Sequence, residues 1–263
     1  MRLFFDIVIT VAIFQTALAY AATFNDRLGD TGRRWAEACI KAPFIDLALG
    51  LFTWIPWFVL GLACGWRGVI GSIIGQVIGL YIWIIGHEYV CREAAAGPRI
   101  VKVLNRVVGR WQNHLALWVT AVAFPGFLFI RLMEVALWPA LVALLGFPKY
   151  DQAKWVNISR QKFSGLIGHD LIWCLYCDWM TGVYSLGAEM LRNVESFWCP
   201  IRFYDGKKCD NCKLDFPDID GGWVPADGNM QQVTETLEGM YGSTGTRAWF
   251  GHPVRMTVNG KST

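Results

Sequence analysis

Long apolar runs dominate the first part of the chain, residues 1–146. The run LFFDIVITVAIFQTALAYAAT, residues 3–23, matches the roughly 20 apolar residues that cross a bilayer core. Its end, ALAYAA, resembles a signal-peptidase site, but Asp6 interrupts the apolar region, which favours an uncleaved anchor helix. Residues 44–86 are nearly all apolar except for the turn-like CGWRG at 64–68, so they predict a helical hairpin.

A third apolar run, residues 115–146, is too long for one straight span and too short for two full spans with a loop. Pro125-Gly126 can break a helix, so the run predicts a short hairpin or one kinked, tilted span. Cytoplasmic loops carry an excess of Lys and Arg, as do residues 24–43, 87–114 and 147–163. These three polar stretches can all lie on the cytoplasmic side only if the apolar run 115–146 returns to the side of the membrane where it starts. We therefore expect an outside N-terminus, two hairpins and a cytoplasmic C-terminal domain.

These patterns predict a mainly α-helical integral membrane protein with an anchor helix and two hydrophobic hairpins. Residues 1–146 would form the membrane module, and residues 147–263 a small, irregular, cysteine-rich domain in water. Composition agrees, since the chain is 54% hydrophobic with a mean hydropathy of +0.33. The first part has 12 Lys/Arg against 8 Asp/Glu, and the second has 12 against 13. This charge gives no reason to expect nucleic acid as a partner. The expected location is a bacterial inner membrane or an organelle membrane.

A basic amphipathic helix is predicted at about residues 98–112, with Gly97-Pro98 at its start. Its apolar positions fall opposite the basic ones, as in helices that lie flat on a membrane. Each base near anionic headgroups contributes about 1 kcal/mol to such binding. A soluble helix packed on a partner would have the same pattern. The residues expected to contact lipid headgroups are Arg99, Lys102, Arg106 and Arg110.

Ionisable residues also occur at membrane depth. Arg131 and Glu134 lie three residues apart in the third apolar run, so they share a helix face and can neutralise each other as an ion pair. A charge in lipid costs a few kcal/mol, which is why such residues usually face protein or water. We favour a docking role over a transport pathway, which normally has more spans. His87 and Glu88 could bind a metal or carry protons, but polar residues ordinarily begin at that depth.

Two C-x2-C pairs are the most specific chemical signal. Each pair can supply two thiolates, so together they can enclose one tetrahedral zinc ion. The second pair follows two lysines in a polar loop, which favours thiolate over thiol. Cys199, between the pairs, is a substitute ligand. The predicted zinc ligands are Cys174, Cys177, Cys209 and Cys212.

Other interpretations of these cysteines stay open. The first pair lies in an amphipathic helix predicted at about residues 165–197, on a polar stripe with Asp170 and Asp178. Iron, as a single ion or an iron–sulfur cluster, is the alternative cofactor. Rubredoxin-like knuckles usually carry Gly after the second Cys, whereas Asp178 and Lys213 stand here. Unligated buried cysteines and external disulfides are the remaining interpretations.

The C-terminal part beyond the second pair has weaker signals. Residues 214–228 predict an irregular acidic loop, and residues 247–263 predict a short strand pair or an extended arm. Asn229 predicts the N-cap of a helix of about three turns that ends near Met240.

The sequence contains no Ser/His/Asp order, phosphate-binding glycine loop or dinucleotide fingerprint, and the hairpin glycines are spaced for helix packing instead. The first hypothesis is therefore a non-catalytic membrane subunit of a larger complex, which anchors partner subunits through a zinc-stapled C-terminal domain. One alternative is a membrane-bound iron redox protein that uses the same cysteines. A second is a small transporter or channel that uses Arg131 and Glu134.

Overall fold

A computed structural model of the chain describes residues 2–23, 29–203 and 222–241. Helix accounts for 81% of these described residues and none of them forms a strand, which confirms the mainly α-helical prediction. The second cysteine pair and the C-terminal arm lie outside the described residues. The helices are α1 (Arg2–Thr23), α2 (Gly29–Cys39), α3 (Phe44–Phe52), α4 (Trp54–Cys64), α5 (Trp66–Val90), α6 (Arg92–Ala96), α7 (Ile100–Val108), α8 (Arg110–Ala121), α9 (Phe124–Ala136), α10 (Trp138–Leu145), α11 (Gln152–Trp155), α12 (Gly168–Trp198) and α13 (Met230–Tyr241).

Three helical segments among the described residues are long and apolar enough to cross a membrane. They are α1, α5 and the combined segment Arg110–Leu145, which contains α8, α9 and α10. The pair α3 and α4 would add a fourth span if the 51° bend between them falls within one span. By length and composition, these segments point to a membrane protein.

The third apolar run is helical over Arg110–Leu145, an apolar segment of 36 residues, and whether it makes a short hairpin or one kinked span stays a prediction. Val122, Ala123 and Leu137, which interrupt the helices of this segment, have right-handed helical backbone angles. Pro125 lies in the first turn of α9, where a missing N–H breaks no intrahelical bond. Pro125 therefore lies at the start of α9 without breaking that helix.

Contacts group the chain into two units, Met1–Val122 with Val156–Met180 and Ala123–Trp155 with Thr181–Thr263. The first part of α12 therefore belongs to one unit and the remainder to the other. This grouping reflects contacts and not the surrounding solvent. The division near residue 146 into a membrane part and a water-facing part stays a prediction.

In the first unit, a row of glycines on α5 packs against α1. Gly71, Gly75 and Gly79 recur every four residues. A Cβ added at Gly75 would lie 2.7 Å from the carbonyl oxygen of Val8, and one at Gly79 would lie 2.9 Å from that of Ala12. The two helices therefore approach backbone to backbone, which confirms the helix-packing prediction for these glycines.

The turn of the first hairpin lies at Gly65, as its sequence predicts. Gly65 has a φ of +63°, which L side chains rarely adopt. α4 and α5 then run antiparallel, since Nε2 of Gln76 donates to the Thr53 carbonyl at 2.7 Å and Oγ of Ser72 donates to the Pro56 carbonyl at 3.3 Å. Hydrogen bonds thus hold the polar side chains of this hairpin inside it.

The second unit has an aromatic core. The ring of Trp138 lies 5.4 Å from Phe147 and 5.7 Å from Tyr150, centroid to centroid. α13 begins at the predicted cap, because Oδ1 of Asn229 accepts the Gln232 N–H at 3.1 Å and Oε1 of Gln232 accepts the Asn229 N–H at 2.9 Å. This reciprocal cap satisfies two backbone donors at the helix start.

Candidate functional site

Three helix ends meet in the first unit: the C-terminal end of α5 and the N-terminal ends of α7 and α12. Glu88 lies in the last turn of α5, Arg99 immediately precedes α7, and Asp170 lies in the first turn of α12. We call these three residues the junction cluster. Helix ends have backbone groups with no partner inside their own helix, so polar side chains from elsewhere can satisfy them.

The end of α5 caps the start of α12. Nδ1 of His87 accepts the N–H of Gly168 at 3.1 Å, and Oε1 of Glu88 accepts the N–H of His169 at 3.0 Å. The carboxylate also lies at the positive end of the α12 dipole, which stabilises a negative charge. Because Nδ1 of His87 accepts, the proton of the neutral ring is assigned to Nε2.

Arg99 joins the two carboxylates of the junction cluster. Its Nε donates to Oδ2 of Asp170 at 2.7 Å, and its Nη2 donates to Oε1 of Glu88 at 2.9 Å. The Arg99 and Asp170 side chains are only 4% and 5% exposed, and Glu88 is 30% exposed. Oδ1 of Asp170 also accepts the N–H of Val101 at 3.1 Å, so Asp170 caps α7. One buried ion cluster thereby ties all three helix ends together.

Charge and hydrogen bonding shift the pKa values of this cluster. Burial raises the pKa of Asp170, but the neighbouring His169 ring, the Arg99 guanidinium and the Val101 N–H outweigh burial, so the pKa lies below its ordinary value. Burial lowers the pKa of Arg99, but its two carboxylate partners outweigh that effect and the pKa lies above its ordinary value. Both groups are therefore charged at neutral pH.

Histidines surround the junction cluster. Besides His87, Nδ1 of His169 lies 3.7 Å from Oδ1 of Asp170, and the ring of His114 lies 5.0 Å from that of His169, centroid to centroid. Within residues 2–23, 29–203 and 222–241, no group of three or more His, Cys, Asp or Glu side chains is placed to hold a metal ion. The contacts of the cluster are ion pairs and helix caps, and their chemical effect is to hold helix ends in place.

The structure corrects the prediction that Arg99 contacts lipid headgroups, because its side chain is buried between two carboxylates. It also shortens the predicted 98–112 helix, since α7 ends at Val108 and the next residue, Gly109, has a φ of +92°. Nζ of Lys102 donates to three backbone carbonyls around the end of α6, at 2.8 to 3.2 Å. Arg106 and Arg110 are exposed, and their contact with headgroups stays a prediction.

The structure places the predicted membrane-depth pair together in the second unit. Nη1 of Arg131 donates to Oε2 of Glu134 at 2.8 Å, and the side chains are 3% and 2% exposed. Nη2 of Arg131 donates to Oε1 of Gln152 at 2.8 Å, and Glu134 lies beside Gly187 of α12. Both charges face protein, as expected for ions that lipid would not solvate.

Of the four predicted zinc ligands, Cys174 and Cys177 lie on α12, whereas Cys209 and Cys212 lie outside the described residues. Cys174 and Cys177 are half-buried and form no disulfide. Cys199, the substitute ligand, is exposed just beyond the end of α12. Whether these sulfurs meet around one ion stays a prediction.

A basic residue is held against the first cysteine pair. Oδ2 of Asp178 accepts the N–H groups of Ser159 at 2.7 Å and Arg160 at 3.2 Å, which docks this turn onto α12. The Arg160 guanidinium then hydrogen-bonds Cys177, which raises the pKa of the arginine. Burial raises the pKa of the Cys174 thiol, and the charge of Arg160 offsets only part of that effect. Arg160 is thus placed to balance negative charge on sulfur.

Comparison of the chain with protein-family models, with curated proteins and with solved structures finds no match in any of the three. The function must therefore be argued from the chemistry of the chain's own residues.

Sequence reasoning did not find the junction cluster. Arg99 and Asp170 are 71 residues apart, and His87 and Gly168 are 81 apart, so no periodic pattern relates them. The available signal was polar residues at both ends of predicted helices, where unsatisfied backbone groups require partners.

Proposed function

We propose that the protein is a non-catalytic integral membrane subunit of a larger membrane complex, in which a zinc-stapled C-terminal domain binds partner subunits. The observation that carries this proposal is the junction cluster. It joins the end of a candidate span to the helix that bears Cys174 and Cys177. A buried, mutually satisfied ion cluster suits an anchor, because it fixes the direction in which α12 leaves the membrane helices.

Zinc is the proposed ion, with Cys174, Cys177, Cys209 and Cys212 as its ligands. The first two sulfurs lie one turn apart on α12, so they can leave the same side of the helix. A zinc ion with four thiolates carries excess negative charge, and Arg160 lies beside the first pair to offset part of it. Iron on the same residues is the alternative that metal analysis must distinguish.

The proposed location of the C-terminal domain is the cytoplasmic side of a bacterial inner membrane or an organelle membrane. Basic polar stretches favour this side, and a reducing compartment keeps thiols available for a metal.

Metal analysis of the intact protein, purified without chelators, tests the zinc proposal. We expect zinc in equimolar amount, lost in Cys174→Ser and Cys209→Ser. The matched control is Cys64→Ser, which removes a half-buried thiol at the hairpin turn and should retain the metal. An iron-to-thiolate absorption band that dithionite bleaches would favour the redox alternative. A metal-free native protein, or disulfides among the four cysteines, would contradict the proposal.

Native extraction tests the subunit proposal separately. We expect at least one partner protein to co-purify in fixed stoichiometry. Cys209→Ser should release this partner while the chain stays in the membrane, and Cys64→Ser should not. A monodisperse monomer with no stoichiometric partner would exclude a subunit role, whatever its metal content.

A further inference from the structure

We infer that the outer face of the second half of α12, residues 182–198, contacts lipid acyl chains, so that this part of the chain lies in the bilayer instead of in water. The inference goes beyond the proposed function and depends on neither the metal nor a partner subunit. All of its observations come from the second unit. They concern how charged and apolar side chains are distributed around this helix.

The second half of α12 packs against the middle of the third apolar run, residues 115–146. A Cβ added at Gly187 would lie 3.0 Å from Cγ2 of Ile130 and 3.3 Å from Oε1 of Glu134, so α9 comes close to the α12 backbone there. In a short hairpin and in a kinked span alike, the middle of such a run lies at membrane depth. Gly187 therefore contacts a part of the chain that lies among acyl chains.

The exposed side chains of this half of α12 are apolar or aromatic. Tyr184, Leu191 and Trp198 recur every seven residues and are 63%, 51% and 54% exposed. Seven residues make about two helical turns, so the three side chains share one face. No charged side chain is exposed among residues 182–198, and Glu195, near the end of the helix, is half-buried. This face offers water no charged group.

Charged and amide side chains of the same half are buried instead. Glu189, Arg192 and Asn193 are 3%, 7% and 3% exposed. Nη1 of Arg192 donates to Oε2 of Glu189 at 2.8 Å, and Nδ2 of Asn193 donates to the Tyr150 hydroxyl at 2.6 Å. On a helix beside water, charged side chains mostly lie on the exposed face. Paired ions inside and none outside are expected where the surroundings cannot solvate an ion.

α13, in the same unit, has the opposite pattern. Val233 is buried, whereas Gln231, Glu235 and Glu238 are exposed. This is the arrangement of an amphipathic helix with one side in water. Two helices of one unit thus have side-chain patterns suited to different surroundings.

Lipid fits the outer face of α12 because α9, the helix it packs against, has the same pattern. Phe129, Leu132 and Val135 are exposed on α9, and its only charged residues, Arg131 and Glu134, are buried. α9 also belongs to a segment that is long and apolar enough to cross a membrane. Both helices therefore keep their ions inside the protein and present apolar side chains outward.

The charges also explain why hydropathy does not identify this helix. Residues 182–198 fall in the part predicted to be water-facing, and Glu189, Arg192 and Glu195 lower their mean hydropathy. Burial removes Glu189 and Arg192 from the outer surface, so the surface is far more apolar than the sequence of the helix.

A photoreactive lipid with its reactive group near the end of the acyl chain tests the occupant in native membranes, with mass spectrometry as the readout. We expect adducts on α1, which shows that the reagent reaches a span, and on the peptide that contains Tyr184 and Leu191. The α13 peptide with Gln231 and Glu235 should stay unlabelled. Adducts on α1 without adducts on α12 would overturn the inference, whether water or a partner protein covers the face.

Two lysine substitutions give a matched test of contact with water. Leu191→Lys and Gln231→Lys each place an amine at an exposed helix position of the second unit. In membrane fragments opened at both surfaces, a membrane-impermeant amine ester should react at least about tenfold more slowly with the amine on α12, because lipid surrounds it. Equal rates would place this face in water and overturn the inference. The photolabelling uses the unaltered chain, so it remains decisive if Leu191→Lys fails to fold.

Discussion

Replacing Arg99 by methionine would leave two carboxylates facing each other at the junction cluster. Arg99→Met keeps a long apolar stem but removes the cation that pairs with Asp170 at 2.7 Å and Glu88 at 2.9 Å. The two remaining negative charges would repel each other, and the more deeply buried one, on Asp170, would have little access to water. We therefore expect a large loss of stability from one substitution that touches neither the cysteines nor the glycine row.

The size of the loss follows from burial. Breaking a buried ion pair by removing one partner costs about 3–5 kcal/mol, because the remaining charge is uncompensated. Glu88 is 30% exposed and is screened by water, whereas Asp170 is 5% exposed. We therefore expect a loss near the lower limit, about 3 kcal/mol. For a chain of this size, that loss lowers the melting temperature by roughly 6–12 °C.

The assay is heat or denaturant unfolding of the purified protein in detergent, followed by intrinsic fluorescence from its 14 tryptophans. The matched control is Arg106→Met on the exposed side of α7, which should change stability by at most about 0.5 kcal/mol. Adding Asp170→Asn to Arg99→Met should recover part of the loss, because the amide is neutral and still accepts a hydrogen bond. Equal melting temperatures for Arg99→Met and Arg106→Met would refute the reasoning.

Three further predictions use the same unfolding assay. Gly75→Ala should lower the free energy of unfolding by about 1–3 kcal/mol, because its Cβ would meet the backbone of α1. The control Gly126→Ala, whose added Cβ has nothing within 4 Å, should raise that free energy by up to about 1 kcal/mol. Equal effects would contradict backbone-to-backbone packing. Since the pKa of Asp170 is lowered in the folded state, the ionised carboxylate contributes its full stability above the unfolded pKa of about 3.9 and loses it as the pH falls through the folded pKa. Asp170→Asn should therefore weaken the loss of stability at acid pH. The same loss at acid pH in this variant and the original protein would count against this. Arg131→Ala should lower the free energy of unfolding by about 3 kcal/mol, because its carboxylate partner is 2% exposed. Arg33→Ala breaks an exposed pair and should lower it by at most about 0.5 kcal/mol. Similar losses would argue that the Arg131 pair is solvated.

Features with local signals could be predicted from the sequence. α1 and α5 follow from long apolar runs, the hairpin turn follows from Gly65, and the start of α13 follows from the capping chemistry of Asn229. The predicted helix at 165–197 corresponds closely to α12, Gly168–Trp198. Each of these signals involves residues within a few turns of one another, where helical geometry determines which side chains are neighbours.

Features that depend on distant partners could not be predicted in this way. Periodicity grouped Arg99 with other basic residues on one helix face, but Arg99 precedes α7 and is buried, and its partner Asp170 follows 71 residues later. The form of the third apolar run stays open for a related reason. Hydropathy and the proline at 125 allow either a short hairpin or one kinked span for residues 115–146, because neither signal shows how the helices on its two sides are directed.

The wide separation within the junction cluster has a consequence for biosynthesis. Asp170 leaves the ribosome 71 residues after Arg99, which takes about 4–14 s at typical elongation rates of 5–20 residues per second. During that interval the hairpin and α1 can already pair through their glycines, while the guanidinium of Arg99 lacks its most buried counter-ion. Nascent chains shorter than 170 residues would therefore present an unsatisfied cation and an uncapped α7, features by which quality-control proteases could distinguish them from longer ones.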